Sequence, residues 1–410
     1  MVDTDARDDA GFEELAKFDD AVAGDVRNPY PEMARQRRET PVQRLDTSGM
    51  PHDEGASVFF VYGFDDIATV LKDGGETYSS AQIINLIMGD VMGEHIMLGM
   101  DEPEHPRYRG LVSKAFRQKS IAKWEDEVVA SIANDLIDTF AARGSAELVR
   151  EFTFPFPTKV IASLLGLPQE DYLDFQRWSI LILSVHGQRE KAIAGSQELK
   201  EYLAGILAQR RAEPREDLIS ELATVEVDGE HLTDEEIFSF LRLLITAGIE
   251  TTYRSTGNLL LTLLENTDQL DAIRNDRSLI PQALEELVRY EVPLLNITRQ
   301  AMKDTELGGV PIPAGSTLML MLGAANREES RWDDPDTFNI FREQRAHIGF
   351  GHGPHVCIGM HLARLEMRVA LNLLLDRLPN LRLDPDGDDP HIRGMVFRSP
   401  TTVPVLFDPA

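Results

Sequence analysis

The sequence predicts a helix-rich α+β fold with small β-sheets. Apolar residues recur at helical spacing through most of the middle of the chain, and one such run is much longer than an average helix. Segments rich in β-forming residues and bounded by glycine and proline are few. The predicted helices cover 31–39, 64–73, 104–116, 121–143, 156–165, 169–185, 189–211 and 268–276, and the predicted strands lie within 41–45, 57–62, 310–322 and 395–407.

The longest predicted helix runs from Thr233 to about Glu265. Thr233 and Glu236 have the spacing of a capping box, and a helix of this length extends on the order of 50 Å. Its first half is apolar nearly all round, which predicts a helix buried in the core. The run 247–252 (AGIETT) then places a carboxylate and two hydroxyls in its middle, where burial without partners is costly. We expect the glycine and threonines there to loosen the helical hydrogen bonding.

The composition is that of a globular protein with a large core. Of 410 residues, 42% are hydrophobic and 27% are charged, and no repeat or low-complexity linker divides the chain. We therefore expect an acidic, flexible segment at 1–28 and a single domain at 29–410. The net charge of −28 disfavours nucleic acids and anionic membrane surfaces as general partners.

The N-terminal residues are acidic, whereas a signal peptide begins with basic and then apolar residues. No apolar stretch reaches the roughly 18 to 20 residues that span a bilayer. Cys357 is the only cysteine, so it has no internal disulfide partner. These features predict a cytoplasmic protein without a membrane span.

A glycine-rich loop at 350–359 (FGHGPHVCIG) leads into a predicted helix and carries Cys357. The free amides and the dipole at the start of a helix are expected to lower the pKa of this thiol and to favour the metal-binding thiolate. Two other interpretations exist. A lone cysteine is often a buried apolar residue. His352, His355 and His361 could also join Cys357 around zinc, although their spacing fits no usual zinc module.

Four positions of this loop have the spacing of a known signature: Phe350, Gly353, Cys357 and Gly359. It is the haem-thiolate signature of the cytochrome P450 family, which the chain resembles over about 29–407. The resemblance implies the P450 fold, a triangular prism of helices with the long helix crossing over the haem. It also implies haem b (iron protoporphyrin IX) as the cofactor, with Cys357 as the axial metal ligand. The other residues that it places against the haem are Ala247, Gly248, Phe350, Gly351 and Gly359.

Further motifs follow the family's order along the chain. Glu286 and Arg289 resemble its Glu-x-x-Arg pair, and the resemblance implies that Arg342 completes a structural ion-pair network with them. Asn339 stands where aspartate is usual. The residues implied to bind the two haem propionates are His105, Arg109, Arg299 and His355. Taken alone, His105 and Arg109 could equally be a solvated pair one helical turn apart.

Glu250 and Thr251 match the family's acid and alcohol pair on the long helix. The resemblance implies that both are catalytic in proton delivery, and that Gly248 leaves room for oxygen. Thiolate ligation favours O–O cleavage. The implied reaction is that of a monooxygenase, which hydroxylates or otherwise oxidises an apolar organic substrate such as a lipid, terpenoid or steroid. The alternative role for Glu250 and Thr251 is packing between helices.

The resemblance also implies a substrate pocket whose walls are aliphatic and mostly uncharged. For each of these residues, membership of the ordinary core is the alternative. The pocket residues are Ile83, Ile84, Leu86, Ile87, Met92, Leu243, Ala247, Leu294, Leu295, Ile297, Val396 and Phe397.

The sequence contains no flavin fingerprint, no iron–sulfur cysteine set and no nicotinamide-binding pattern, so its electrons must come from separate proteins. Bacterial members of the family imply a ferredoxin and a ferredoxin reductase drawing on NAD(P)H, with O2 as co-substrate, and we expect a monomer. A cationic stretch without acids suits an acidic redox partner, although a solvated helix face is the alternative. It contains Arg107, Arg109, Lys114, Arg117, Lys119 and Lys123.

Two other functions fit part of the pattern. One is a peroxide-dependent or oxygen-independent haem-thiolate enzyme, which would more often lack the acid and alcohol pair and would need no electron donor. The other is a non-catalytic haem sensor or electron-transfer protein, which would not need a large apolar pocket. The presence of Glu250 and Thr251 favours the monooxygenase.

Overall fold

The computed structural model describes residues 24–45, 57–114, 124–183, 185, 188–227 and 229–409. Most of these residues are helical, and the strands form small sheets, so the predicted fold class is confirmed. The helices are α1 (Tyr30–Glu39), α2 (Phe64–Lys72), α3 (Ala81–Met92), α4 (Glu104–Val112), α5 (Ser131–Asp138), α6 (Pro155–Leu164), α7 (Tyr172–Leu183), α8 (Arg189–Ala212), α9 (Leu218–Thr224), α10 (Asp234–Glu265), α11 (Thr267–Asn275), α12 (Ile280–Tyr290), α13 (Leu322–Ala325) and α14 (Met360–Arg377).

The largest sheet has five strands in the order β1-β2-β10-β7-β3. Strand β10 pairs in parallel with β2 and antiparallel with β7, so the sheet joins the first and last thirds of the chain. The strands are β1 (Val42–Arg44), β2 (Val58–Val61), β3 (Tyr78–Ser79), β4 (Ser145–Glu147), β5 (Glu226–Val227), β6 (Glu230–His231), β7 (Ile297–Ala301), β8 (Thr305–Leu307), β9 (Val310–Ile312), β10 (Thr317–Leu320), β11 (Arg382–Leu383), β12 (Ile392–Arg393), β13 (Ser399–Pro400) and β14 (Pro404–Leu406).

The long helix α10 begins and ends where the sequence predicts. Its capping box is present, because the backbone N–H of Glu236 donates to Thr233 Oγ1 at 3.2 Å and the backbone N–H of Thr233 donates to Glu236 Oε2 at 2.7 Å. The expected loosening in its middle is wrong, since the segment is α-helical from Asp234 to Glu265. Thr251 donates back to the carbonyl of Ala247 at 2.7 Å without interrupting the helix.

Several elements differ from the sequence prediction. The segment 310–322 contains two strands, β9 and β10, because a turn with Gly315 at φ +81° separates them. The segment 395–407 likewise contains the short strands β13 and β14. In 121–143 the described residues form a π-helical turn, Glu125–Ala130, followed by α5. Helix α3 and strand β7 were not predicted.

Helix α10 passes through the largest apolar core of the molecule. It packs against α6 on one side and against α14 on another, and the loop around β13 also contacts it. Helix α14 begins at Met360, directly after the cysteine loop. The fold therefore brings the two motifs that the sequence singles out, the middle of α10 and the Cys357 loop, onto neighbouring core helices.

Candidate functional site

The cysteine loop is held in shape by its own backbone and by α2. The backbone N–H of Cys357 donates to the carbonyl of Phe350 at 2.8 Å. Gly351 and Gly353 have φ angles of +74° and +70°, which favour glycine. A Cβ added to Gly353 would lie 2.2 Å from the carbonyl oxygen of Leu71 at the end of α2. The glycine at this signature position is therefore required by close backbone packing.

The Cys357 side chain is accessible, although the protein surrounds it. Burial raises the pKa of the Cys357 thiol, and this outweighs the lowering by the backbone amides of Gly359 and Met360 and by Arg109 and Arg364. The predicted net lowering of this pKa is therefore wrong for the protein chain by itself.

Four basic side chains meet beside the cysteine loop. The imidazole rings of His105 on α4 and His355 in the loop lie 4.0 Å apart between centroids. Arg109, one turn after His105, donates to the carbonyl of Val356 at 2.5 Å. Arg299 on β7 acts electrostatically on both imidazoles. The structure thus brings together residues that are up to 250 positions apart in the sequence.

The Asp101 carboxylate acts on His105 and Arg299 from a distance, but burial outweighs it. Burial, with Arg109 nearby, lowers the pKa of His105 to about 4. Burial and the neighbouring His105 lower the pKa of His355 to about 3, and burial lowers the pKa of Arg299 to about 10. Within the described ranges, neither Arg109 nor Arg299 pairs with a carboxylate, and the buried Nε2 of His105 has no hydrogen-bond partner. An anionic group carrying two carboxylates, such as haem, fits this cluster.

One face of α10 is open in the middle of the core. Ala247 is exposed and Gly248 and Thr251 are partly exposed, whereas the residues around them are buried. Because positions i, i+1 and i+4 share one side of a helix, these three residues form a single strip along a cavity wall. A Cβ added to Gly248 would lie 3.2 Å from Ile161 Cδ1 on α6, so this glycine also permits close helix packing.

Glu250 does not lie on the open strip. It is 1% exposed and accepts a hydrogen bond from Nε of Arg254, one turn later, at 2.6 Å. Arg254 is 2% exposed and also donates to Ser399 Oγ at 2.8 Å. Sequence reasoning did not include Arg254, although the i,i+4 spacing of the two opposite charges was a signal that could have found it.

The residues predicted to line a substrate pocket fall into three groups. Ile83, Ile84, Ile87, Leu294, Ile297, Val396 and Phe397 are partly exposed, and Ala247 is exposed. Leu294 and Phe397 form an isolated antiparallel bridge, which joins two of the predicted wall segments. Met92 and Leu243 are packed in the core.

For Leu86 and Leu295 the structure contradicts the predicted position at a pocket wall. Leu86 is 75% exposed on the outer face of α3, which it shares with Asp90. Leu295 is fully buried and would touch a Cβ added to Gly323, on the opposite side of the chain from Leu294. The physical reason is directional: only one face of a helix meets a cavity, and successive residues of extended chain point to opposite sides.

Glu286 lies at the centre of a buried ion-pair network. Arg289 donates to both oxygens of its carboxylate at 2.7 and 2.8 Å, and Arg342 Nε donates at 3.2 Å. Arg289 and Arg342 also donate to backbone carbonyls of the segment 326–337. The three residues thus join α12 to the irregular segment that precedes the cysteine loop.

A groove of about 480 Å³ opens behind the cysteine loop, and Phe350, His352 and Val356 form part of its wall. The Arg364 guanidinium lies 4.5 Å from the Phe350 ring centroid and pairs with Glu285 at 2.6 and 2.9 Å. Although burial opposes it, hydrogen bonds from His347 and Arg364 lower the pKa of Glu285 to about 2. The groove behind the cysteine loop is therefore lined by paired charges of both signs.

Two alternatives from the sequence lose support. Among the described residues, no three histidine, cysteine or acidic side chains converge in a way that could hold a metal ion, so zinc has no ligand set. The cationic stretch after His105 is not one surface. Arg107 pairs with Glu236 and Glu230, while Arg109 turns inward, because positions two apart lie on opposite sides of a helix. Lys114 is exposed, and Arg117, Lys119 and Lys123 lie outside the described residues.

Comparison with known proteins decides the family. Residues 158–403 match the family model for cytochrome P450. The chain is a cytochrome P450. It is 39% identical over 392 residues to cytochrome P450 107B1 of Saccharopolyspora erythraea, covering 92% of this chain and 93% of that protein. It is 35% identical to a steroid C26-monooxygenase of Mycobacterium tuberculosis, covering 77% of this chain and 86% of that protein.

Solved structures agree with this assignment. CYP109E1 from Bacillus megaterium, crystallised with testosterone, superimposes with a TM-score of 0.84 at 29% identity, covering 93% of this chain and 99% of that one. The predicted family, fold and enzyme class are confirmed. This P450 is a haem-thiolate monooxygenase that activates O2 with two externally supplied electrons to oxidise an apolar organic substrate. None of its described helices is long and apolar enough to cross a bilayer.

Proposed function

We propose that Cys357 is the axial ligand of haem b in this P450, and that His105, Arg109, Arg299 and His355 hold the two propionates. The observation that carries the proposal is a group of four basic side chains, two of them buried and two partly buried, that form no ion pair with a carboxylate of the described residues and lie next to an accessible thiol. Ion pairing with propionates would compensate the charges that burial now disfavours. When bound, haem with a thiolate ligand supplies the oxygen-activating chemistry.

The protein's own residues supply protons and exclude water. Thr251 is on the open strip of α10, where its hydroxyl can donate to a ligand in the cavity in place of the Ala247 carbonyl. Glu250 lies on the flank of that strip, and we assign it the relay of protons towards Thr251. Gly248 and Ala247 leave space above the strip because neither carries a side chain larger than methyl.

The substrate in this proposal is an apolar molecule of about steroid size. The partly exposed wall residues are aliphatic, apart from Phe397, and carry no charge. A relative at 35% identity is a steroid C26-monooxygenase, and a structural neighbour was solved with testosterone. Such walls select by shape and apolar area, whereas a polar substrate would leave its hydrogen-bonding groups without partners.

Electrons in this proposal come from a ferredoxin, which a ferredoxin reductase reduces with NAD(P)H. The groove behind the cysteine loop is the suggested docking face, because its wall includes residues one and five positions from Cys357. Exposed Arg345 at this groove and Lys114 beyond α4 can attract an acidic partner. The comparisons support a need for redox partners in this family, and the choice of a ferredoxin is our own.

A carbon monoxide spectrum tests the thiolate assignment. The reduced, CO-bound protein should show the strongly red-shifted Soret band of thiolate ligation, and Cys357→Ser should abolish it because a serine hydroxyl does not supply a thiolate. His352→Ala, in the same loop, is the matched control and should keep the band. A histidine-like band in the unaltered protein would overturn the proposal.

Stopped-flow reduction tests the docking face. Arg345→Glu should slow electron transfer from a bacterial ferredoxin by about tenfold at low salt, with the difference shrinking as salt rises. Arg35→Glu, on the exposed face of α1, is the control for a change of net charge. Lys114→Glu tests in the same way whether the surface around Lys114, beyond α4, contributes to docking. Equal rates for Arg345→Glu and Arg35→Glu would exclude the groove as the docking face.

A further inference from the structure

Arg254 connects the proposed proton-relay residue to the wall of the substrate pocket. Its Nε donates to Glu250 Oε1 at 2.6 Å, and its Nη1 donates to Ser399 Oγ at 2.8 Å. The guanidinium carbon lies 5.2 Å from the centroid of the Phe397 ring and 4.9 Å from that of Tyr253. One buried cation thus contacts a carboxylate on α10 and two neighbouring residues that are almost 150 positions later in the chain.

The carboxylate of Glu250 cannot serve the open strip while it stays in this pair. The strip consists of Ala247, Gly248 and Thr251, and Glu250 is rotated about 100° from Thr251 around the helix axis. Both partners of the Glu250–Arg254 pair are 2% exposed at their side chains, so their attraction is little screened by solvent. Proton transfer toward Thr251 therefore requires the carboxylate to move away from Arg254.

Phe397 is placed where a substrate can influence that movement. Its ring is partly exposed, and it bridges Leu294 in the predicted pocket wall. The backbone N–H of Leu295 donates to the carbonyl of Val396 at 2.7 Å, which fixes the backbone of this wall. A ligand that pushes on the Phe397 ring changes the contact between the face of this ring and the Arg254 guanidinium. The same displacement changes the ion pair in which Arg254 holds Glu250.

We propose that Arg254 is a positioning residue that holds the Glu250 carboxylate away from the open strip until a substrate contacts Phe397. This inference rests on the proposed function, because it takes Glu250 to be the proton relay. The planar guanidinium is needed, since it contacts the carboxylate, the Ser399 hydroxyl and the aromatic ring at once, whereas a lysine ammonium has no flat face to stack. Substrate binding and proton delivery are thereby coupled through one side chain.

A double-mutant cycle on the haem-loaded enzyme tests the inference. Glu250→Gln, Arg254→Gln and the double variant are compared for the rate of product formation, with testosterone and hexadecanoic acid as probes, and for NAD(P)H consumption without substrate. Glu250→Gln should lower the rate of product formation by about a hundredfold, the lower end for general acid–base catalysis. Because Arg254→Gln releases Glu250 before a substrate binds, it should raise NAD(P)H consumption without substrate by on the order of tenfold, and it should not do so when Glu250 is already glutamine.

A second measurement does not depend on turnover. Infrared spectra of the resting protein, with Glu250→Gln as the reference, identify the carboxylate band of Glu250. A probe that shifts the Soret band should change this carboxylate band in the unaltered protein but not in Phe397→Leu, which lacks the aromatic face. Arg254→Lys keeps the buried positive charge and replaces Arg254→Gln as the test variant if the latter does not fold. The carboxylate band of Glu250 should not change on probe binding in Arg254→Lys either.

The outcomes separate the inference from the proposed function. If Glu250→Gln forms product as efficiently as the unaltered enzyme, the relay role of Glu250 fails and the inference fails with it. If Glu250→Gln is impaired but Arg254→Gln does not raise NAD(P)H consumption without substrate, or raises it equally in the double variant, Arg254 has only a structural role, and the inference alone is overturned. An infrared response that persists in Phe397→Leu and Arg254→Lys would overturn it as well.

Discussion

The side of the molecule that carries Cys357 and the side that carries α3 are held together in different ways. Around the cysteine loop, buried charges are bound several at a time, as Glu286 is by Arg289 and Arg342. Around α3, the Val91 carbonyl accepts a buried hydrogen bond from Ser196, but the ion pair is exposed. Arg189 at the start of α8 donates to the Ile87 carbonyl and to Asp90, both at 2.9 Å. Cofactor chemistry requires fixed geometry, whereas ligands must be able to enter. Because Ile83, Ile84 and Ile87 of α3 are partly exposed predicted wall residues, we expect ligands to enter beside α3.

The largest expected effect is on the cysteine side, at Glu286. Glu286→Gln keeps the size of the side chain but removes the carboxylate that pairs with the buried guanidinium of Arg289 and with the partly buried one of Arg342. Losing one partner of a buried network costs about 3–5 kcal/mol of unfolding free energy. Denaturant titration at pH 7 measures the loss, and haem content after purification shows whether the loop still assembles. A cost below about 1 kcal/mol would mean that this network contributes no more to the free energy of unfolding than an exposed ion pair. The two sides of the molecule would then not differ in this respect.

The sequence predicted the cysteine side better than the α3 side, for a physical reason. The start of α10 follows from a local capping box, and Glu286 and Arg289 are one helical turn apart, so short-range spacing sufficed. Helix α3 was missed because its apolar residues do not fall on a single stripe; Leu86 faces outward.

Contacts between distant parts of the chain were also beyond sequence reasoning. The bond from Arg254 to Ser399 spans 145 positions. The inward turn of Arg109 toward Val356 depends on where α4 meets the cysteine loop, and no local spacing encodes it. The direction of Leu295 has a local cause, because successive residues of extended chain point to opposite sides, and the family resemblance alone does not specify it. The family resemblance supplied the site residues, and the structure supplied their partners.

A smaller effect, of opposite sign, is expected from Glu366 on the same side of the molecule. This residue of α14 is 1% exposed, and its Oε2 has no hydrogen-bond partner in the described part of the chain. Burial raises the pKa of Glu366 well above its ordinary value of 4.5. The unfolded chain therefore loses this proton near pH 4.5 while the folded chain keeps it, so stability falls as pH rises from there toward the folded pKa.

Glu366→Gln should remove this dependence, because a neutral amide has no proton to lose. Its melting temperature should exceed that of the unaltered protein at pH 7 and approach it near pH 4. The neighbouring Glu285 offers the contrasting control, since its pKa is lowered to about 2 and its contribution to stability is lost as pH falls below 4.5. A difference between Glu366→Gln and the parent that does not change with pH would show that the carboxyl has a partner in solution.

The smallest effect on stability is expected at Arg189, because its ion pair with Asp90 is exposed, unlike the network around Glu286. Arg189→Ala removes an exposed ion pair with Asp90 and a bond to the Ile87 carbonyl, and exposed pairs contribute less than about 1 kcal/mol. The rate of ligand entry should change more than stability does, because α3 loses its exposed tie to α8 while the buried hydrogen bond from Ser196 to the Val91 carbonyl and the packing of its inner face remain. Stopped-flow Soret shifts with testosterone should show faster association in Arg189→Ala, and an intermediate rate in Asp90→Asn, which loses the ion pair but keeps the bond to Ile87. Unchanged rates in both variants, with unchanged stability, would mean that α3 is held by its packing and the Ser196 hydrogen bond, and that the entrance lies elsewhere.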